Sequence, residues 1–188
     1  MILIIIKTKA KLFASFRELL CEKIFETITV NEICKRSGVR RATFYNHFKD
    51  KYDFLAALSQ ELRRVFEEKI WAISEASPPS DYYIEYARGL VAFLDRHSDM
   101  VSMLLKSSVA NSLISIIVDD NIKHTHARLI EDEKSGAVTL GAPANIVSVF
   151  LSAGIAHTVI RWLNDGKVMP TEEFTEYILA TVKRFFLK

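Results

Sequence analysis

The stretch from Thr29 to Lys51, TVNEICKRSGVRRATFYNHFKDK, constrains what this chain can fold into more than any other part of it. Two short helical patterns flank the turn Ser37-Gly38-Val39. Thr29 stands three residues before Glu32, so the Thr hydroxyl and the Glu carboxylate can satisfy orphan backbone N–H groups reciprocally and fix a helix start. Val30, Ile33 and Cys34 then fall at i, i+3 and i+4 on one apolar face, until Gly38 supplies the positive-φ residue that ends many helices. The spacing predicts a helix, a tight turn and a second helix.

In the second helical pattern, spacing decides what faces where, because side chains advance by roughly 100° per residue around an α-helix. Phe44 and Phe48, four apart, share one side and form the buried face. Ala42, Thr43 and Asn46 point the opposite way, and Tyr45 and His47 project to the two flanks, where the phosphate walls of a major groove would lie. Arg40 and Arg41 sit at the N-terminal end, which enters a groove first and also favours anions. At least one of these arginines is expected at a base edge, since Arg pairs bidentately with guanine. Lys51 opens the next helical segment and is expected to place an ammonium and a helix N-terminus on a phosphate.

On these residues the stretch resembles the DNA-binding domain of the TetR/AcrR family of bacterial regulators. The matching elements are Thr29 at the start of the first helix of the motif, the Gly38 turn, the run Thr43-Phe44-Tyr45-Asn46-His47-Phe48, and Lys51. The Arg41-Ala42-Thr43-Phe44-Tyr45 variant looks more like the subgroup that includes regulators of dihydroxyacetone kinase genes. The resemblance implies an all-α homodimer: an N-terminal three-helix helix-turn-helix domain, then a helical bundle that binds a ligand and dimerises.

Charge follows the same division. Residues 1–60 carry 11 Lys and Arg against 6 Asp and Glu, net +5, while residues 61–188 carry 14 against 17, net −3. The positive end coincides with the helix-turn-helix, as an electrostatic footprint on DNA requires. Cys21 and Cys34 are the only cysteines; their placement makes neither a disulfide framework nor a zinc site, and both are expected as reduced core thiols in a cytoplasmic protein.

Met1 to Ile6 is apolar but far short of the roughly 20 residues a spanning helix needs, and it lacks the preceding positive charge of a signal peptide. No membrane association is expected. Lys7, Lys9 and Lys11 could supply a basic arm; for the six residues before them a misassigned start, a packed extension and a strand-pairing liability all stay open. From Thr8 to Lys23, Leu12, Phe16, Leu19 and Leu20, with Phe13 beside them, form a stripe that can cover Ile33, Phe44 and Phe48. The resulting core is small, so it should lean on helices from later in the chain.

A long amphipathic helix is predicted over 51–74, with Leu55, Leu58, Leu62, Val65, Phe66 and Ile70 on its stripe, so the expected domains are 1–50 and 51–188, linked by that helix. Paired prolines in Ser74 to Ser80 end it. Further helices are expected to about His97, over Asp99–Lys106, from Ser108 to about Glu133, from Pro143 to about Asn164, and from Pro170 onward. The last two are apolar over more than one face, which suits a self-complementary dimer surface with Phe150, Gly154, His157, Ile178 and Phe185 on it. This agrees with the family, whose last two helices pair across a two-fold axis.

Family members commonly hold an apolar effector between their C-terminal helices, which brings forward Phe66, Tyr86, Phe93, Met100, Met103 and Trp162 as lining residues, although core packing explains each of them too. His97, His124, His126 and His157 lack metal-ligand spacing, and no cofactor or metal is expected. The pattern shows no nucleophile–base pair, phosphate loop or paired carboxylates, so an enzyme is the weakest reading. The expected function is a sequence-specific DNA-binding regulator. It would be a homodimeric repressor on a double-stranded operator, released by a small apolar effector; the alternative is an effector-free or protein-partnered DNA-binding activator or architectural protein.

Overall fold

A computed structural model describes the backbone of residues 2–74 and 79–187, and the side chains of 7–61, 63–65, 68 and 81–187. Among the described residues ten α-helices succeed one another: α1 (Ile2–Glu22), α2 (Val30–Ser37), α3 (Arg41–Tyr45), α4 (Lys51–Ser74), α5 (Pro79–Arg96), α6 (Ser98–Leu105), α7 (Ala110–Lys134), α8 (Ala144–Val149), α9 (Ile155–Asn164) and α10 (Thr171–Lys183). A 3-10 turn at Phe25–Thr27 precedes α2, and a π-helical turn at Phe150–Gly154 joins α8 to α9. The fold is all-α; among the described residues the only extended pairing is an isolated antiparallel bridge between Leu140 and Phe186.

The chain forms two compact units, Met1–Arg63 with Asp99–Leu113, and Arg64–Ser98 with Ile114–Lys188. In the first, local chemistry sets the helix ends. Thr29 Oγ1 accepts the Glu32 N–H (3.2 Å), while Glu32 Oε2 accepts the Thr29 N–H (2.9 Å), the reciprocal cap that the spacing predicts. At the other end Gly38 sits at φ 69°, and the Val39 N–H returns to the Cys34 carbonyl (3.1 Å), which stops the helix and aims the chain into α3. Arg36 holds Glu22 with two hydrogen bonds (2.5 and 2.8 Å), pinning α2 to the end of α1.

The core of this unit is aromatic. Phe16, Phe25, Phe44 and Phe54 are wholly buried with Leu12, Leu20, Ile28 and Ile33. Phe54 lies at the centre, its ring centroid 4.6 Å from Phe48, 5.0 Å from Phe16 and 5.2 Å from both Phe13 and Phe44. Met100 is buried in the same cluster, and Leu104, Val109 and Leu113 pack against it. The added segment supplies apolar cover that three short helices lack.

Two expectations change. Cys21 is exposed and only Cys34 is buried, because Cys21 falls off the stripe that carries Leu19 and Leu20. Val65 is half exposed (50%), on the outer side of α4. Leu62, Phe66 and Ile70 of the same stripe lie outside the described side chains.

In the second unit α5 packs against α9 and α10. Trp162 stacks flat on Phe174 (4.5 Å, 9°) and donates its indole N–H to the Met169 carbonyl (2.9 Å). Asp95 on α5 accepts from Thr171 (3.2 Å) and pairs with Lys167 (2.5 Å), so it ties the turn before α10 in place. The segment Ala144–Asn164 is long and apolar enough to cross a membrane, with a mean hydropathy of 1.6, but 44% of it is buried within the protein.

Glu32 makes the first unit sensitive to acid. Hydrogen bonds from Lys23, then from the backbone and hydroxyl of Thr29, hold its carboxyl down to about 2, below its ordinary value of 4.5. A depressed folded-state value means its contribution is complete above pH 4.5 and is lost as pH falls toward 2. We expect the melting temperature of the helix-turn-helix to fall through that window. Glu32→Gln, which keeps the cap but not the charge, should flatten the fall when followed by circular dichroism.

Candidate nucleic-acid interface

The turn at Gly38 presents α3 with Phe44 inward and its other side outward. Arg40, Arg41, Ala42, Tyr45 and Asn46 are exposed, and Thr43 and His47 are half-buried. The Tyr45 ring stands edge-on to Phe44 (5.5 Å) with 48% of the residue exposed, and the Arg41 guanidinium lies 5.9 Å from its centroid. His47 rests 6.1 Å from the Phe48 ring. Two arginines, a phenol, an amide, a hydroxyl and an imidazole are thus carried on one short, outward-facing element. Such a group set can bond both phosphate oxygens and base edges.

Thr29 contributes through its cap; its hydroxyl also donates to Glu32 (2.8 Å). Lys51 does something other than what its position in the sequence suggests. Its ammonium donates to the carbonyls of Phe25 (3.0 Å), Glu26 (2.7 Å) and Ile28 (2.9 Å), which uses all three N–H donors inside the protein. The α4 N-terminus is likewise occupied: Asp50 Oδ1 accepts the N–H groups of Tyr52 (2.8 Å) and Asp53 (2.9 Å), and Asp53 accepts that of Lys49 (2.9 Å). The Lys51 ammonium is thus held inside the protein, where it positions the motif, and Asp50 takes the N–H groups of Tyr52 and Asp53 at the start of α4.

Two positioning groups went unnoticed in the sequence. Asp50 three residues before Asp53 is a local capping signal that spacing could have found. Glu26 carries no such signal, since its partner is remote: Ser108 donates both its N–H and its hydroxyl to Glu26 Oε1, each at 2.6 Å. Those bonds, the hydroxyl's first, hold the Glu26 carboxyl below its ordinary range.

The residues expected to line an effector site do not converge. Tyr86 borders a cavity of about 690 Å³ in the second unit. Phe93 packs on His97 (4.7 Å), Trp162 is buried on Phe174, and Met100 belongs to the aromatic core of the first unit, as does the segment carrying Met103. Phe66 lies outside the described side chains. Among the residues expected at a dimer surface, Phe150 (59%) and His157 are exposed, while Gly154, Ile178 and Phe185 are half-buried, with Phe150 and Phe185 5.9 Å apart. Ile146, Val149 and Tyr177 add exposed apolar area on α8 and α10.

Short helices closed on an aromatic core, with a turn-linked helix turned outward, define a helix-turn-helix domain. Residues 8–58 match the family described as "Bacterial regulatory proteins, tetR family". A curated relative, an uncharacterized HTH-type transcriptional regulator, YxbF of Bacillus subtilis (strain 168), is 24% identical over 93% of this chain, and the chain spans 45% of that relative's length. FadR of Bacillus subtilis in complex with stearoyl-CoA shares the fold with a TM-score of 0.73 at 20% identity, over 92% of this chain and 96% of that one. NalD, the secondary repressor of the MexAB-OprM multidrug efflux pump of Pseudomonas aeruginosa, does so with a TM-score of 0.71 at 18% identity, over 97% and 98%. The family match thus falls on the helix-turn-helix itself, and the likeness to the solved structures extends to the fold of nearly the whole chain.

The assignment of Lys51 is open to direct measurement. Lys51→Met removes charge-assisted hydrogen bonds from three carbonyls and should lower stability by about 1–3 kcal/mol in urea titrations. The slope of log affinity for DNA against log salt should stay as in the parent protein, because no phosphate contact is lost. A slope shallower by about one unit would return Lys51 to the interface.

Proposed function

We propose that the protein is a homodimeric transcriptional repressor that reads a near-palindromic operator with α3 and is released by a small-molecule effector bound in its second unit. The observation that carries the reading is the outward set Arg40, Arg41, Thr43, Tyr45 and Asn46 on a helix held from behind by Phe44 and Phe48. Residues 1–50 would read DNA, and 51–188 would bind the effector and dimerise, with the helix 51–74 shared between them. The narrower kinship with regulators of dihydroxyacetone kinase genes rests on the Arg41–Tyr45 run.

Two-fold symmetry would set the paired recognition helices about 34 Å apart, in successive major grooves. The exposed apolar residues Ile146, Val149, Phe150 and Tyr177 support pairing through α8–α10, since contiguous apolar area left uncovered marks an interaction surface. A cavity within the second unit supports an effector, which can release DNA only by binding one state better than the other. α4 and α7 each contribute residues to both units, so either could carry the change.

DNA binding is tested by fluorescence anisotropy on the segment upstream of the protein's own gene. Arg40→Ala or Arg41→Ala should relax base preference at one operator position by roughly 1–3 kcal/mol, whereas Tyr45→Phe and His47→Ala should weaken binding to all sequences. Equal affinity for operator and scrambled duplex in the parent protein would sink the reading.

Dimerisation is tested with Gly154→Glu. A Cβ at Gly154 would meet nothing within 4 Å, so a side chain can leave the backbone there in the isolated chain, whereas a paired helix would block it. Sedimentation should show a folded monomer with operator affinity reduced by at least about 100-fold, the loss of bivalency. A surviving dimer would move the interface elsewhere.

A further inference from the structure

We infer that the cavity between α5 and α7 is a receptor site for an aromatic organic cation. The inference deepens the effector reading above and rests on it only for the consequence at DNA, since binding itself is independent of that reading. It is an open cleft of about 690 Å³, a volume within the range of small-molecule sites.

Its walls settle the chemistry. Tyr82 and Tyr86, one turn apart on α5, present two rings 6.2 Å apart and tilted by 34°. From α7 come Arg128, Glu131 and Asp132, and from α4 comes Glu68. The described lining therefore holds three carboxylates against one guanidinium and the His124 imidazole, whose Nε2 lies 3.8 Å from Asp120 Oδ1. That guanidinium is part of the wall: it lies 3.7 Å over the Tyr82 ring, with Nε 3.5 Å from Asp132 Oδ2. Asp132 is fixed in turn by the Tyr83 hydroxyl, which donates to it at 2.7 Å. Burial, then the Asp132 carboxylate, push the Tyr83 phenol up, so it keeps that proton.

With Arg128 balanced by Asp132, the residual field comes from Glu131 and Glu68. Glu68 pairs with Arg64 (2.5 Å), but on an open surface, where such a pair is weak and screened. An incoming carboxylate or phosphate would meet like charge and a guanidinium already facing a carboxylate. An aromatic cation would meet opposite charge, with the Tyr86 ring in the wall as a second attractive group.

The test is calorimetric titration of the full chain with N-methylquinolinium, with 1-naphthoate of similar size, and with stearoyl-CoA. We expect the cation to bind more tightly than either anion and to weaken as salt rises. Glu68→Gln with Glu131→Gln should cost the cation about tenfold and leave the fold intact, as both side chains are exposed. Tyr86→Ala should weaken it as well. Tighter binding of 1-naphthoate or stearoyl-CoA, cation affinity indifferent to salt, or no loss in the double variant would each overturn the inference. Operator affinity is read separately on the same samples. Cation binding without DNA release would defeat the repressor-release reading and leave the site, whereas DNA binding without cation uptake would do the reverse.

Discussion

The outward face of α3 depends on one ring behind it. A helix of five residues closes too few internal hydrogen bonds to persist alone. α3 holds its shape because Phe44, within it, and Phe48, just beyond it, both pack on Phe54 near the start of α4. Fully burying a phenylalanine contributes about 1.5–3 kcal/mol, and favourable ring pairs add about 0.5–1.5 kcal/mol. Phe54 touches four such rings, so it clamps α1, α3 and α4 into one body. The groups that face outward can then be polar and weakly packed, because nothing in the fold relies on them.

How much of this was legible depends on the range of the interaction. The cap at Thr29 and Glu32, the Gly38 stop and the Phe44–Phe48 face are set by residues within five positions of each other, and periodicity recovers them. Lys51 is different. Its partners are carbonyls 23 to 26 residues upstream, freed by a 3-10 turn that no apolar pattern announces. A lysine at the start of a helix beside a DNA motif looks like a phosphate ligand until that turn is seen. Met100 misled for the same reason: on its own helix it is just another apolar position, and only tertiary packing places it under the helix-turn-helix. Tyr86 was singled out as apolar lining, but its neighbours across the cavity are charged, and their approach is likewise a product of packing.

The 3-10 turn Phe25–Thr27 is gripped from two directions. Lys51, the first residue of α4, holds its carbonyls, and Ser108, just before α7, holds the Glu26 carboxylate. The same two helices supply Glu68 and Arg128 to the cavity. Under the function proposed here, a ligand that biases either helix acts on a segment whose start is bonded to the turn that leads into α2. Such coupling needs a difference in ligand affinity between two arrangements, and these polar contacts are discrete enough to be made or broken.

The apolar segment Ala144–Asn164 has the length and hydropathy of a bilayer span, yet its faces are unlike. Val147, Leu151, Ile155, Val159 and Trp162 are buried inside the protein, while Ile146, Val149 and Phe150 are exposed near its start. Farther along, the exposed residues are His157, Thr158, Arg161 and Asn164, whose polar groups would be costly in hydrocarbon. A lipid-facing helix would keep its outer surface apolar along its whole length. Under the pairing proposed above, a face that turns from aromatic to polar along its length would match a protein interface, whose buried part is apolar and whose rim is polar. The π-helical turn at Phe150–Gly154 sits at that change, and under the same pairing its glycine, with nothing within 4 Å of a Cβ there, would let a second helix approach.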